Sequence, residues 1–304
     1  MGNSMMAKKR SFLSRVLRGI GIGVGVIIVL LYLGLPAGFG AAAVFPGRAA
    51  VDRPPEGFRE VAFRAEDGVQ LKGWYRPPEN GAVIILLHGA GGSRDSVRSY
   101  VKILVKHGYG ILALDLRGHG ASQGKTNRLG WQGTLDVGAA VNFLQGLGEV
   151  RRIGGLGISM GGEVLLGAAS AYPAIRAMAA DGATRRCTDE LLALETERPL
   201  VRNFTARVMY ATVQLLSGDP QPKPLLESMH ASGAQILLIA GGSNALEVSF
   251  NQMFKDTLGN RVDLWIAPEA GHTQAYALYP EEYEQRLTKF FDQTLLQDDR
   301  PSDH

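Results

Sequence analysis

The residues with the clearest chemical pattern are Gly157-Ile158-Ser159-Met160-Gly161. A serine with glycines two positions before and two positions after can occupy a sharp, strained turn from a strand into a helix, because no side chain collides there. Its hydroxyl then projects from the backbone and can attack a carbonyl carbon. The pattern predicts that Ser159 is a covalent nucleophile.

The elements on either side of Ser159 fit such a turn. The apolar run from Arg152 to Ile158 predicts a buried strand, and a helix is predicted from Met160 onward. Two similar strand-helix units precede it, with strands at 82–87 and 110–115. Repeated units of this kind predict an α/β fold with a doubly wound, mostly parallel sheet of eight strands.

The other strands are predicted by short apolar or alternating runs, which lie at 58–66, 69–76, 175–180, 235–240 and 261–267. Asp67-Gly68 separates the first two runs and indicates a hairpin. An amphipathic helix from Glu281 to Leu296 is expected to close the fold.

A second chemical motif, His88-Gly89-Ala90-Gly91-Gly92-Ser93, follows the first central strand. With the serine pattern, it gives the chain from about Phe58 to Leu296 a resemblance to the α/β-hydrolase superfamily, which places its oxyanion loop at this point. The resemblance implies that the backbone amides of Ala90 and Met160 stabilise the negative charge that develops on a carbonyl oxygen. His88 itself is expected to have a structural role.

The resemblance also indicates the base, because Ala270-Gly271-His272-Thr273 follows the last predicted strand, in the superfamily's order of nucleophile, acid and base. His272 is therefore the expected proton acceptor. The acid departs from the family's Gly-x-x-Asp pattern, since this chain has Gly241-Gly242-Ser243-Asn244. Glu247 is the preferred acid, with Asp181 and a neutral orienting Asn244 as alternatives.

The first 47 residues predict a membrane anchor. A basic head, 1–18, precedes an uncharged run, 19–47, that exceeds the roughly 20 residues needed to cross a bilayer. The positive charges are expected to stay in the cytoplasm, which places the remaining chain outside. The main alternative is a secreted protein, produced by cleavage of a signal peptide near Ala41-Ala42-Ala43. A helix buried in the protein and an inverted topology with a cytoplasmic domain are the others.

A linker is predicted at 48–57 and the catalytic domain at 58–304. Within the domain, about fifty residues separate two predicted strands, which is too long for a simple connection. We predict a helical cap at about 183–233 over the active-site end. Helices are expected at 191–194, 204–216 and 225–230.

These features predict a membrane-anchored serine hydrolase that cleaves a carboxylic ester, or an amide, of a small-molecule or acyl substrate. No cofactor or metal is needed for this chemistry. No nucleic-acid partner is expected, because acidic residues slightly outnumber basic ones outside the head. The alternatives are a serine peptidase of the prolyl-oligopeptidase-like type, a non-catalytic binding protein on the same fold, and a lyase, transferase or peroxidase that uses the same residues.

Overall fold

The computed structural model describes residues 2–45, 47–125, 129–194 and 199–297. Residues 195–198 of the predicted cap and 298–304 of the predicted domain lie outside this part of the chain. Eight strands form one sheet. They are β1 (Arg59–Arg64), β2 (Gln70–Arg76), β3 (Ala82–Leu87), β4 (Gly110–Asp115), β5 (Arg152–Ile158), β6 (Ile175–Asp181), β7 (Gln235–Gly241) and β8 (Val262–Ala267).

Helices precede, connect and follow these strands. In chain order they are α1 (Gly2–Val29), α2 (Leu35–Val44), α3 (Arg98–Lys106), α4 (Gly133–Gln145), α5 (Met160–Gly167), α6 (Thr188–Ala193), α7 (Pro199–Ser217), α8 (Leu225–His230), α9 (Ala245–Leu258), α10 (Ala275–Leu278) and α11 (Pro280–Phe291). A π-helical turn, Leu30–Gly34, joins α1 to α2.

The strand order confirms the predicted doubly wound sheet. In space the strands follow the order β1-β2-β4-β3-β5-β6-β7-β8. β1 pairs antiparallel with β2, and β2 with β4, whereas the strands from β4 to β8 in this order are parallel. β3 lies between β4 and β5, so the chain winds outward in both directions from it, which opens a crevice at the carboxyl ends of the strands. Leu87 pairs with Gly157, and the turns after β3 and β5 therefore lie side by side.

Helices cover both faces of the sheet, because successive strand side chains point to opposite sides. In β3, Ile85 belongs to one hydrophobic core and Ile84 to the other. Side chains of α4, α5, α8 and α9 complete the first core, while α3 and α11 complete the second. The parallel strands are covered on both sides, as their continuous apolar runs predicted.

The N-terminal helix projects from this domain. Ser14–Val44 is long and apolar enough to cross a membrane, and only a small share of its residues is buried. Pro36 lacks an N–H group and cannot donate to the carbonyl of Tyr32, which accounts for an irregular turn just before α2. The last turns of α2 pack on the domain, where Val44 contacts a small cluster with Trp131 and Tyr210.

The insertion between β6 and β7 is helical, as predicted, and consists of α6, α7 and α8. α6 and α7 begin earlier than expected, at Thr188 and Pro199. α7 packs along α2. The helical insertion thus connects the N-terminal helix to the domain.

Candidate active site

Ser159 lies in the turn between β5 and α5 with φ 52° and ψ −120°. This left-handed conformation is strained for a residue with a side chain, and such strain is common at functional sites. The two glycines of the motif make the turn possible. A Cβ atom on Gly157 would lie 2.3 Å from the carbonyl oxygen of Gly161, and one on Gly161 would lie 2.4 Å from that of Leu87.

The turn brings Ser159 to the residues predicted as its partners. His272 Nε2 lies 2.8 Å from Ser159 Oγ. On the other side of the ring, His272 Nδ1 contacts Oε1 of Glu247 in a short hydrogen bond. His272 is supplied by the loop after β8, and Glu247 by the first turn of α9. The three side chains form one hydrogen-bonded chain at the carboxyl edge of the sheet.

Glu247 is fully buried and is held from several directions. Its Oε2 accepts a hydrogen bond from the amide of Gly241 at 2.8 Å, and its Oε1 accepts one from Nδ2 of Asn244 at 2.7 Å. Asn244 is the N-cap of α9, and its Oδ1 accepts from the amide of Glu247. Asn244 therefore contacts the carboxylate rather than the histidine.

The carboxylate also sets the electrostatics of His272. The hydrogen bond from the ring to Glu247 raises the pKa of His272 above 6.5, and partial burial of the ring opposes this rise. The imidazolium form is stabilised because the negative charge lies beside it. This arrangement suits a base that accepts a proton and holds it for a short time.

Asp181, the alternative acid, lies nearby in a different role. Its backbone carbonyl accepts a hydrogen bond from the amide of Ser159 at 2.7 Å, which supports the strained turn. Its buried carboxyl group accepts from the hydroxyl of Tyr283 at 3.1 Å. Burial, followed by the charge of Glu247, raises the pKa of Asp181 to about 7.

His88 is buried within the loop after β3. Its Nδ1 lies 2.8 Å from the carbonyl oxygen of Gly89, to which it donates, and its Nε2 accepts from the amide of Leu116 at 3.1 Å. Burial lowers the pKa of His88 to about 3, so the ring is neutral. These bonds hold the loop in place, and Ala90 lines the pocket beside Ser159.

A cavity of about 610 Å³ opens beside Ser159 and His272. Its wall is largely apolar and includes Tyr100 and Tyr276, whose rings are 5.3 Å apart. The described residues of the insertion are not among those that line this cavity. Sequence analysis missed both tyrosines, because an aromatic residue on a helix gives the same pattern in a pocket as in a core.

Comparisons with known proteins agree with this fold. The family model described as alpha/beta hydrolase fold matches residues 82–296. The uncharacterized protein Rv2307c of Mycobacterium tuberculosis (strain ATCC 25618 / H37Rv) is 33% identical over 122 residues, which cover 38% of this chain and 42% of that protein. The chain therefore matches less than half the length of this curated relative.

Solved structures provide longer matches. The esterase Pf2001 of Pyrococcus furiosus is 27% identical, with a TM-score of 0.66, and the match covers 83% of this chain and 99% of the esterase. A membrane phospholipase A, described as a novel bacterial virulence factor, is 21% identical with a TM-score of 0.56, over 92% of this chain and 99% of that one. At this lower identity, the second likeness shows the fold alone.

Proposed function

The chain belongs to the α/β-hydrolase fold family, and we propose that it cleaves carboxylic esters through an acyl-enzyme formed on Ser159. The observation that carries the proposal is the continuous hydrogen-bonded chain from Ser159 through His272 to Glu247. A serine hydroxyl is a weak nucleophile on its own, and an adjacent oriented base is what activates it.

In the first half of the reaction, Ser159 Oγ attacks the ester carbonyl carbon while Nε2 of His272 takes the hydroxyl proton. The tetrahedral intermediate then collapses. The bond to the alcohol oxygen breaks, and His272 returns the proton to that oxygen so that the alcohol leaves. Glu247 orients the ring and stabilises its positive charge while it holds the proton.

In the second half, water attacks the acyl-enzyme and His272 accepts one of its protons. The ester bond to Ser159 breaks, the acid is released, and the proton returns to Oγ. The amides of Ala90 and Met160 would hold the oxyanion in both halves. Met160 is the first residue of α5, so its N–H has no acceptor within the helix, and the helix dipole favours negative charge at this end.

The apolar pocket supports an ester substrate over a peptide. Its described lining contains no charged side chain apart from the titratable His272, and apart from the hydroxyl residues Ser96, Ser99 and Thr273 it consists of aromatic, small and apolar residues around Ser159. An acyl chain or a small alcohol fits such a wall, whereas recognition of a peptide terminus calls for a charged or strongly polar group. The likeness to an esterase at 27% identity points in the same direction.

We also propose that the N-terminal helix crosses the membrane and that the hydrolase domain lies outside the cytoplasm. The support is the apolar length of Ser14–Val44 and the basic residues that precede the uncharged run. Protease added to intact cells should digest the domain and leave the basic head protected. Protection of the domain in intact cells would contradict this topology.

The catalytic proposal is tested by labelling the full chain, in detergent or nanodiscs, with a fluorophosphonate probe. The wild type and the Ser96→Ala variant should be labelled, because Ser96 lines the same pocket but donates its hydroxyl to the backbone of Ser93. Ser159→Ala should lose the label. Absence of labelling in the wild type, or persistence in Ser159→Ala, would overturn the assignment. Comparison of nitrophenyl esters with aminoacyl nitroanilides then separates esterase from peptidase activity.

A further inference from the structure

The position of α7 relative to the membrane rests on the topology proposed above. The uncharged run begins at Gly19, directly after Arg18. About 20 helical residues are needed to cross the hydrocarbon region, so the crossing extends to about Gly38. The π-helical turn Leu30–Gly34 and the first turn of α2 then lie in the outer half of the bilayer.

α7 is packed against this part of the N-terminal helix. It contacts both α2 and the π-helical turn. The approach is close at Gly40, where an added Cβ atom would lie 2.7 Å from the carbonyl oxygen of Met209 and 2.9 Å from Cβ of Thr212. Because the two helices touch through their backbones at this glycine, α7 is held at the level at which the N-terminal helix leaves the membrane.

The side chains of α7 divide into distinct faces. Tyr210 and Val213 are buried against the domain, and Thr212, with the backbone carbonyl of Met209, contacts Gly40 of α2. A third face carries apolar residues at intervals of three or four along the whole helix: Leu200, Phe204, Val208, Ala211 and Leu215. Leu200 and Leu215 are 87% and 82% exposed. Between this apolar stripe and the domain lie the polar residues Asn203, Arg207 and Gln214.

We propose that α7 lies in the outer-leaflet interface of the membrane that the N-terminal helix crosses, with its apolar stripe toward the acyl chains. A helix with an apolar stripe and a basic or polar flank is the pattern of a segment that lies in a membrane surface. α2 continues the same apolar surface, since Leu35 and Phe39 are also exposed. The occupant is a lipid leaflet, because the stripe is continuous with the spanning helix itself.

The test uses the full chain in phosphatidylcholine nanodiscs, with an environment-sensitive fluorophore on single introduced cysteines. Cys187 is buried, so unsubstituted protein gives the labelling background. Phe204→Cys places the label on the apolar stripe, Gln214→Cys places it on the polar flank of the same helix, and Val24→Cys places it within the spanning helix. We expect doxyl-labelled lipids to quench Phe204→Cys and Val24→Cys severalfold more than Gln214→Cys. Iodide, a quencher dissolved in the water, should quench Gln214→Cys more than Phe204→Cys and Val24→Cys.

Three results would overturn the inference. Quenching of Phe204→Cys by iodide, with Val24→Cys quenched by lipid, would mean that α7 lies in water above a spanning helix. Shielding of Phe204→Cys from both quenchers would mean that a protein, either a second copy or another partner, covers the stripe. Loss of lipid quenching at Val24→Cys would remove the topology on which the inference rests. Fluorophosphonate labelling of the same samples reports the catalytic proposal separately, since it depends on Ser159 and not on α7.

Discussion

Asn244 donates a hydrogen bond from Nδ2 to Oε1 of Glu247, the same oxygen that contacts His272. Asn244 also caps α9 through its Oδ1. One asparagine therefore fixes both the start of the helix and the orientation of the carboxylate at its first turn. Asn244 stands where the resemblance to the family leads us to expect an aspartate, and we propose that it positions Glu247 one helical turn later.

Replacing Asn244 should separate these two roles. Asn244→Ala loses the cap and should cost about 1 kcal/mol of stability, whereas Asn244→Ser keeps a capping oxygen and should be nearly as stable as the wild type. Both variants lose the bond to Glu247, and we expect kcat to fall by about tenfold or more in each, since a hydrogen bond to a charged group is worth about 1.5–3 kcal/mol. Thermal unfolding and ester hydrolysis measure the two effects. Full activity in Asn244→Ser would show that the contact has no positioning role.

The role of Glu247 is tested by Glu247→Gln, with Asp181→Asn as the matched control. Loss of the oriented carboxylate should lower kcat by roughly 10³–10⁴-fold. Asp181→Asn should keep most of the activity, because the carbonyl that supports Ser159 belongs to the backbone. A large loss in the Asp181 variant, with little change in the Glu247 variant, would reverse the assignment.

The same variant should shift the pH profile. Glu247 raises the pKa of His272, and the base must be neutral to accept a proton, so kcat/KM should rise with pH through a midpoint above 6.5. In Glu247→Gln the residual activity should have its midpoint at lower pH, because the negative charge is gone. An unchanged midpoint would show that the titration seen in the pH profile is not that of His272 under the influence of Glu247.

The buried carboxyl group of Asp181 should affect stability in a pH-dependent way. Its pKa is raised from 3.8 to about 7, so the folded state keeps a proton that the unfolded chain releases. The stability that this group contributes is therefore complete below about pH 4. It falls as the pH rises from about 4 to about 7 and changes little above pH 7. Asp181→Asn removes this pH-dependent loss of stability. The Tm of the variant minus that of the wild type should therefore increase as the pH rises from about 4 to about 7. The exposed Asp263→Asn serves as control and should show no such trend.

Because the turn at Ser159 is tightly packed, a single methyl group added at Gly161 should have a large effect on activity. Its Cβ atom would collide with the backbone carbonyl of Leu87, which cannot move without disturbing β3. Gly161→Ala should therefore lose nearly all fluorophosphonate labelling and turnover. Gly148→Ala, at a position with open space around it, is the matched control and should retain both. Normal labelling of Gly161→Ala would show that the turn can accommodate a methyl group at this position.

The pocket wall should decide which acyl chains are accepted. Tyr276→Ala enlarges the cavity beside Ser159, so kcat/KM should shift from short toward longer nitrophenyl esters. Leu278→Ala truncates a large apolar side chain on the same helix, but at an exposed position outside the pocket lining. A series of esters of increasing length measures the change. An equal shift in both variants would indicate an effect on α10 rather than on the pocket.

Sequence reasoning was most successful where burial was complete. The predicted run at 82–87 matches β3 residue for residue, because all six side chains are buried and the apolar pattern is unbroken. The hairpin around Asp67-Gly68 and the helix after Ser159 were also predicted correctly, since turn residues and strand–helix alternation are local signals.

The insertion was harder to predict because its packing partner is distant in the sequence. α7 begins at Pro199 rather than near Phe204, and its first turn carries exposed apolar residues that do not follow the pattern of a core helix. Nothing local to α7 indicates that Gly40 lies against it. The expectation that the cap would cover the active-site end followed from chain order alone and could not include this contact.

The sequence narrowed the proposed acid partner of His272 to a few residues, but their spacing could not show which of them lies beside the histidine. Glu247 faces His272 only because α9 begins at Asn244, which places residue 247 one turn inside the helix and beside the cap. A start shifted by one residue would rotate the carboxylate by about 100° around the helix axis. The catalytic roles of Ser159, His272 and Glu247 stay predictions that the variants above can decide.

The packing of Val44 beside Trp131 and Tyr210 has a consequence for how substrate reaches the pocket. A membrane anchor commonly leaves its domain on a flexible tether, free to tumble and to sample every direction. Here the last turn of α2 is part of a hydrophobic cluster of the domain, and Arg48 donates to the backbone carbonyls of Ser122 and Gly124 just beyond it. In the topology proposed above, we therefore expect the domain and the N-terminal helix to turn as one body, so that the opening beside Ser159 keeps one angle and height relative to the lipid surface.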